Sequence, residues 1–374
     1  MTRFRDTGLV VGERPPGSLN AITDVPGVAV GHVTLIEGDG PLVVGRGPVR
    51  TGVTVVLPHP GDVWNEPLAA GFHVLNGCGE VTGMHWVRES GMLASPVALT
   101  GTLGVGAVHE GLVRWAAEDA SPELIAGGVL PVVAETWDGH LSDGFGTHVR
   151  PVHVAQAIAA ATTGPVPEGN VGGGTGMICH GFKGGIGTSS RRVALPCGDY
   201  RLGVLVQANH GVRERFVVDG VPIGRRIPDA EVPVPPDVVP GSGSIISLVA
   251  TDVPLLPHQC RRVAQRVGLA IGRLGGLGED GSGDMALAFS TANRLWPPVR
   301  WVGGEDPPPE GPALATGVEA LVGEHIDEVF AATVEATEEA ILNALFAAET
   351  MVGRDGVVAY ALPQDRFLEE IARR

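Results

Sequence analysis

The sequence predicts a layered α/β protein. Short runs rich in Val, Ile and Leu alternate with segments of helical periodicity, and Gly, Pro or Asp bounds most of the short runs. Several of those runs are apolar on both faces. Such strands must be covered twice, by helices on one side and by a second sheet on the other.

In chain order, 28–35 and 52–57 read as strands, and the Ala-rich 104–117 as a helix. Residues 130–135 form the next strand and 150–161 a second Ala-rich helix. Strands follow at 202–209 and 244–251. In 257–274 the apolar Cys260, Val263, Ala264, Val267, Ile271 and Leu274 recur at helical spacing, with Arg262, Arg266 and Arg273 elsewhere on the surface. Residues 285–291 form another strand. A helix over 327–346 is carried by Phe330, Val334, Ile341 and Leu345. A strand at 357–362 and an amphipathic turn or two at 364–373 close the chain.

Composition narrows the function before any motif does. The chain has 374 residues, 44% hydrophobic and 18% charged, enough for a large core. Its 42 acidic residues outnumber 26 basic ones, leaving a formal charge of −16. Nucleic acid and anionic membranes both call for basic surfaces, so neither is an expected partner. Cys78, Cys179, Cys197 and Cys260 form no C-x-x-C pair and read as reduced thiols. The opening MTRFRDTGLVVGERPPG has no apolar leader, and no run reaches ~18 apolar residues. A cytoplasmic protein without a membrane span is expected.

Most familiar chemistry is missing. There is no P-loop, no H-E-x-x-H and no G-x-S-x-G. The G-x-G-x-x-G at Gly276, Gly278 and Gly281 follows a helix and precedes a strand, the reverse of a dinucleotide site. His148 and His153 are five apart and read as capping or surface residues. Residues 169–187 are Gly-rich and hold the sole lysine, Lys183. They suit tight packing of two layers with Lys183 solvated or ion-paired, or else a site wall or oligomer contact. Residues 220–243 carry six prolines and read as a long exposed connection, ending where the apolar SIISLVAT begins at Ser244.

Seven blocks in order carry a resemblance. They are NAITDVPGVAVGH (20–32), VRTGVTVVLP (49–58), GNVGGGTGM (169–177), QANHG (207–211), GSGSIISLVATDVPL (241–255), SGDMALAFSTAN (282–293) and ILNALFAAETMVGRDG (341–356). With them the chain resembles the L-aminopeptidase/D-esterase and β-peptidyl aminopeptidase family of self-processing serine peptidases. The resemblance implies a four-layer αββα sandwich, like that of the N-terminal-nucleophile hydrolases but differently connected. It implies one domain over residues 1–374, cut between Gly243 and Ser244 into 1–243 and 244–374. Ser244 is then the nucleophile. A hydroxyl is weakly nucleophilic, and the freed α-amine, with a pKa of about 8, can take its proton.

By motif, Ser282 and Asp284 match the pair that hydrogen-bonds around the nucleophile. Asn209 matches the oxyanion-hole residue, and Glu135 the carboxylate that binds the substrate's ammonium. Trp137 stands where many relatives have tyrosine, and indole is a donor without an acceptor or an acid. Ser242 is the competing nucleophile; Ser244 is favoured because it directly precedes Ile245 and Ile246. The implied substrates are short peptides, amides or esters with a free amine, without metal or organic cofactor. The implied assembly is a homo-oligomer, with a tetramer favoured. Three other readings stay open: an acyltransferase of the ornithine acetyltransferase kind, a binding protein that never cuts itself, and a Ser-His-Asp hydrolase, for which His210 is the nearest histidine.

Overall fold

The computed structural model describes residues 3–118, 120, 122–236, 238–294 and 317–374. Along the chain run β1 (Ala29–Glu37), β2 (Val49–Leu57), β3 (Leu68–Gly77), α1 (Met84–Ser90), β4 (Met92–Leu93), β5 (Val97–Gly101), α2 (Val105–Glu118), α3 (Pro122–Gly127), β6 (Val132–Thr136) and α4 (Pro151–Ala159). Then come β7 (Ile178–Cys179), β8 (Phe182–Lys183), β9 (Gly185–Leu195), β10 (Gly198–Asn209), α5 (Ile223–Arg226), β11 (Gly243–Thr251), α6 (Pro257–Arg273) and β12 (Ser282–Arg294). The last elements are α7 (Ile326–Ala347), β13 (Met351–Val352), β14 (Val358–Ala359) and α8 (Gln364–Ala372).

Two sheets form the centre. One has the order β1-β2-β5-β6, the other β4-β3-β12-β11-β10-β9. Alternate residues of each strand serve different layers. Ile246, Leu248 and Ala250 of β11 join Leu205, Met285 and Leu287 between the sheets, facing Val56, Leu99 and Ala134. Ile245 and Val249 face the other way, onto Val263, Val267 and Ile271 of α6 and Ile341 and Leu345 of α7. Val53, Val55, Ala98 and Val133 pack on Val108 and Leu112 of α2 and on Val154 of α4. The layers therefore run helix, sheet, sheet, helix.

α7 departs from simple amphipathicity because it is covered nearly all round. Its buried Glu335 and Glu339 are held by Arg191 of β9, at 3.2 and 2.8 Å, and by Arg14 and Arg5 near the N-terminus. Buried charge is tolerated only with such pairing.

Several segments differ from the sequence-based expectation. β9 is buried but polar, and Thr188, Ser189 and Arg191 find acceptors inside, so an apolar pattern never shows. β3 is rich in Ala and Gly because α6 crosses it closely: a Cβ at Gly71 would sit 2.1 Å from Arg261 N. β5 spans only five residues. In 357–362 only Val358–Ala359 is strand, in a hairpin outside both sheets. The 220–243 connection is not exposed throughout: Val221, Ile223 and Ile227 are buried around α5. Lys183 is neither solvated nor ion-paired. It is fully buried and donates to Gly174 and Gly184 carbonyls at 3.3 and 2.8 Å. The packing reading of the Gly-rich segment does hold: a Cβ at Gly173 would lie 2.1 Å from Gln207 Oε1 and 2.8 Å from Leu99 O, between the sheets.

Candidate active site

Strand register assembles the site. Ser244 is the second residue of β11 and pairs with Asn209 of antiparallel β10 and with Gly283 of parallel β12. By alternation it shares a face with Ile246 and Leu248, so its side chain belongs to the layer between the sheets. The Gly283 N–H donates to Ser244 Oγ at 3.0 Å. That leaves the hydroxyl proton free to be removed. Ser242 lies before the strand and donates to Val239 O at 2.7 Å, as a loop hydroxyl does.

Asn209 and Gln207 use the same face to reach the opposite sheet. Gln207 Nε2 donates to Thr100 O at 3.0 Å and Thr136 Oγ1 at 2.9 Å. Asn209 Oδ1 accepts from Ile178 N–H at 2.7 Å, and its Nδ2 donates to Trp137 O at 3.1 Å. One amide hydrogen of Asn209 is left over for a ligand.

Ser282 and Asp284 lie on the other face of β12. Ser282 sits opposite Gly243, and its Oγ donates to Asp284 Oδ1 at 2.6 Å rather than to Ser244. The pair thus flanks the backbone of the junction, not the nucleophilic oxygen. Burial pushes the Asp284 carboxyl up to about 6, with the Glu279 charge adding to it; the Ser282 hydroxyl and Ile245 backbone oppose the shift. Its Oδ2 is buried without a partner.

Glu135 is the penultimate residue of β6 and is buried. Its carboxylate accepts from Glu80 N–H at 2.9 Å and from the Thr102 hydroxyl. Burial raises its pKa, and the Glu80 charge adds to the rise. Asp138, pushed up to about 6 by burial, also feels Glu135. A Cβ at Gly79 would stand 3.0 Å from Glu135 Oε1 and 3.5 Å from Gly283 Cα, so the buried Glu135 carboxylate adjoins the strand end beside Ser244. A buried carboxylate there suits a cation. Trp137 lies in the same region, but its ring folds onto Gly139, where a Cβ would be 2.1 Å from Cζ2. Its carbonyl, not its indole, meets Asn209.

His210 is not paired with Ser244. It is buried, with Nδ1 3.8 Å from Cys179 Sγ. His148 bonds Asp143 at 2.9 Å, and His153 caps α4 by accepting from Arg150 N–H at 3.1 Å. Sequence reasoning quoted Gln207 without a role and missed Thr102 and Glu80. Thr102 and Glu80 sit in no motif; only the meeting of β5, β6 and β10 with the segment after β3 brings all three together.

The model of peptidase family S58 matches residues 20–359. The chain belongs to peptidase family S58. It is a serine-type aminopeptidase, so the expected family of self-processing serine aminopeptidases is the right one. The beta-peptidyl aminopeptidase of Sphingosinicella xenopeptidilytica is 46% identical over 373 residues, covering 98% of this chain and 90% of that protein. A beta-aminopeptidase structure from Burkholderia sp. superposes with a TM-score of 0.88 at 47% identity, covering 100% and 99% of the two chains. The L-aminopeptidase D-Ala-esterase/amidase of Ochrobactrum anthropi gives 0.86 at 39% identity, over 99% and 98%, and is described as a new variant of the Ntn-hydrolase fold. The layered αββα expectation agrees with that description and with the two sheets seen here. None of these relatives favours the acyltransferase or binding-protein readings. Among the described residues no helix is long and apolar enough to cross a membrane.

Proposed function

We propose that the chain cuts itself between Gly243 and Ser244 and then uses Ser244 to release N-terminal residues from short peptides, amides or esters. The observation that carries this reading is the register that sets Ser244 between Asn209 and Gly283 at the start of a central strand. Ser244 Oγ attacks the Gly243 carbonyl carbon, the C–N bond breaks, and the Ser244 nitrogen takes the proton. Water then hydrolyses the ester, leaving residues 1–243 and an N-terminal serine.

In the mature enzyme the freed amine removes the hydroxyl proton as Oγ attacks the substrate carbonyl. Asn209 supplies its spare amide hydrogen to the oxyanion, a contribution on the order of 3 kcal/mol for one donor. Ser282, opposite Gly243, and Asp284, opposite Ile245, hold the amine. Glu135 binds the substrate's ammonium, whose charge offsets the desolvation that raises the Glu135 pKa. Trp137 flanks that pocket.

A single domain, a cytoplasmic setting and a homo-oligomer, with a tetramer favoured, belong to the same reading. Exposed Val74, Leu75, Leu269 and Leu277 offer an apolar surface for the oligomer. The test is intact mass under denaturing conditions. Two masses matching 1–243 and 244–374 are expected, and Ser244→Ala should leave one of 38.6 kDa. A single mass for the unaltered chain would sink the proposal.

A further inference from the structure

A second cluster of reactive side chains lies beside the junction, and the peptidase chemistry leaves it unused. Cys179 ends β7, His180 opens the two-residue turn into β8, and His210 follows Asn209. One ligand-type atom from each lies within 4.8 Å of the other two. Cys179 Sγ and His210 Nδ1 are 3.8 Å apart. A sulfur and a nitrogen bound to one ion stand roughly 3.6 Å apart.

The cluster is buried, with Cys179 and His180 at 0% exposure and His210 at 2%. Nε2 of His210 has no hydrogen-bond partner, and neither ring nitrogen of His180 makes a well-formed hydrogen bond, with only the Val212 main chain near that ring. Unpaired buried imidazoles call for an explanation. The turn is also held in place. His180 has φ 49° and Gly181 φ 71°, a left-handed pair that is unusual for a histidine. The His180 N–H donates to His210 O at 2.7 Å, while Arg213 donates to His180 O at 2.9 Å and to Gly181 O at 2.6 Å.

Coordination number selects the ion. Among the described residues three donors come together in a dry interior and no fourth His, Cys, Asp or Glu joins them. Structural zinc takes four ligands, so a three-donor set fits an ion content with three. A thiolate cancels the charge of a monovalent ion, and thiolate with imidazole suits soft ions.

We propose that Cys179, His180 and His210 form a trigonal site for a soft monovalent metal ion, Cu(I). Binding breaks the S–H bond, forms a Cu–S bond and sends the proton to solvent; copper keeps its oxidation state. A Cβ at Gly243 would lie 3.6 Å from His210 Cα, so an occupied site braces the strand end next to the junction.

The test uses the full chain carrying Cys78→Ser and Cys197→Ser, which removes the two exposed thiols. It is expressed with copper in the medium and purified without oxygen. One copper per chain is expected, with one sulfur and two nitrogen neighbours in its X-ray absorption fine structure. Cys179→Ala and His180→Phe in the same background should each lose the copper. Absence of copper, a shell of different composition, or copper retained by both variants would overturn the site. Zinc held by the same three residues instead would overturn the monovalent assignment. The absorption measurement keeps Cys179 and His180 intact, so it decides even if a variant fails to fold.

Discussion

Asp284→Asn is expected to stabilise the uncut fold at neutral pH. Burial lifts the Asp284 carboxyl from 3.8 to about 6. A shift of about two units corresponds to about 3 kcal/mol between the protonation states. Its sign follows from proton binding. Between about pH 4 and pH 6 the folded chain keeps a proton that the unfolded chain has lost. Stability therefore falls as pH rises through that window and stays lower above it. Asparagine keeps the size of the side chain and carries no charge, so this dependence disappears. The comparison should be made between Ser244→Ala and Ser244→Ala/Asp284→Asn, because neither is cut. Urea unfolding from pH 4 to pH 8 should cost the single variant about 3 kcal/mol more than the double. Parallel pH profiles would refute the reasoning. A carboxylate kept ionised against such a penalty, next to a nucleophile, is the kind of local conflict that folds tolerate at functional sites.

Two further predictions concern the junction and the pocket. Gly243→Ala should accumulate uncut chain, because φ is 125° there and the new Cβ would lie 2.1 Å from the Asn209 carbonyl oxygen. A gel time course reads this directly, and cleavage at the normal rate would mean that the strand-end geometry is not needed for the cut. Glu135→Gln should shrink the preference for free-amine over N-acetylated esters by about 10- to 100-fold, the loss of one charge-assisted bond of about 1.5–3 kcal/mol. The ratio of kcat/KM values measures it, and an unchanged ratio would remove Glu135 from amine recognition.

The legible part of the molecule was the part whose residues are apolar or motif-bearing. β11, α6 and α7 declare themselves through Ile245–Val249 and through the spacing of Val263, Val267 and Ile271. The blocks around Ser244, Ser282 and Asn209 supply the members of the candidate site. β9 stayed hidden because its buried Thr188, Ser189 and Arg191 look like surface residues until their partners on β10 and α7 are known. Lys183 misleads for the same reason, since its partners are main-chain carbonyls that no side-chain pattern reports. The different faces of Ser244 and Asp284 were also invisible. Spacing along β12 puts Ser282 and Asp284 on one face, and only parallel pairing puts Ser282 opposite Gly243 and Gly283 opposite Ser244.

That pairing also bears on the proposed cut. In the larger sheet β12 and all of β11 except Gly243 would belong to the 244–374 piece, while β3 and β10 would belong to 1–243. The order β3-β12-β11-β10 encloses the strands of one fragment between those of the other. Separation would have to break the β10–β11 and β12–β3 ladders and also expose Ile245, Val249, Ala286 and the inner faces of α6 and α7. Apolar burial of this kind is not weakened by salt. The cut protein should therefore elute natively as one species containing both fragments, in low salt and in high, and should divide only in denaturant. Separate native peaks for the two fragments would contradict the interleaved order, and with it the register on which the placement of Ser244 rests.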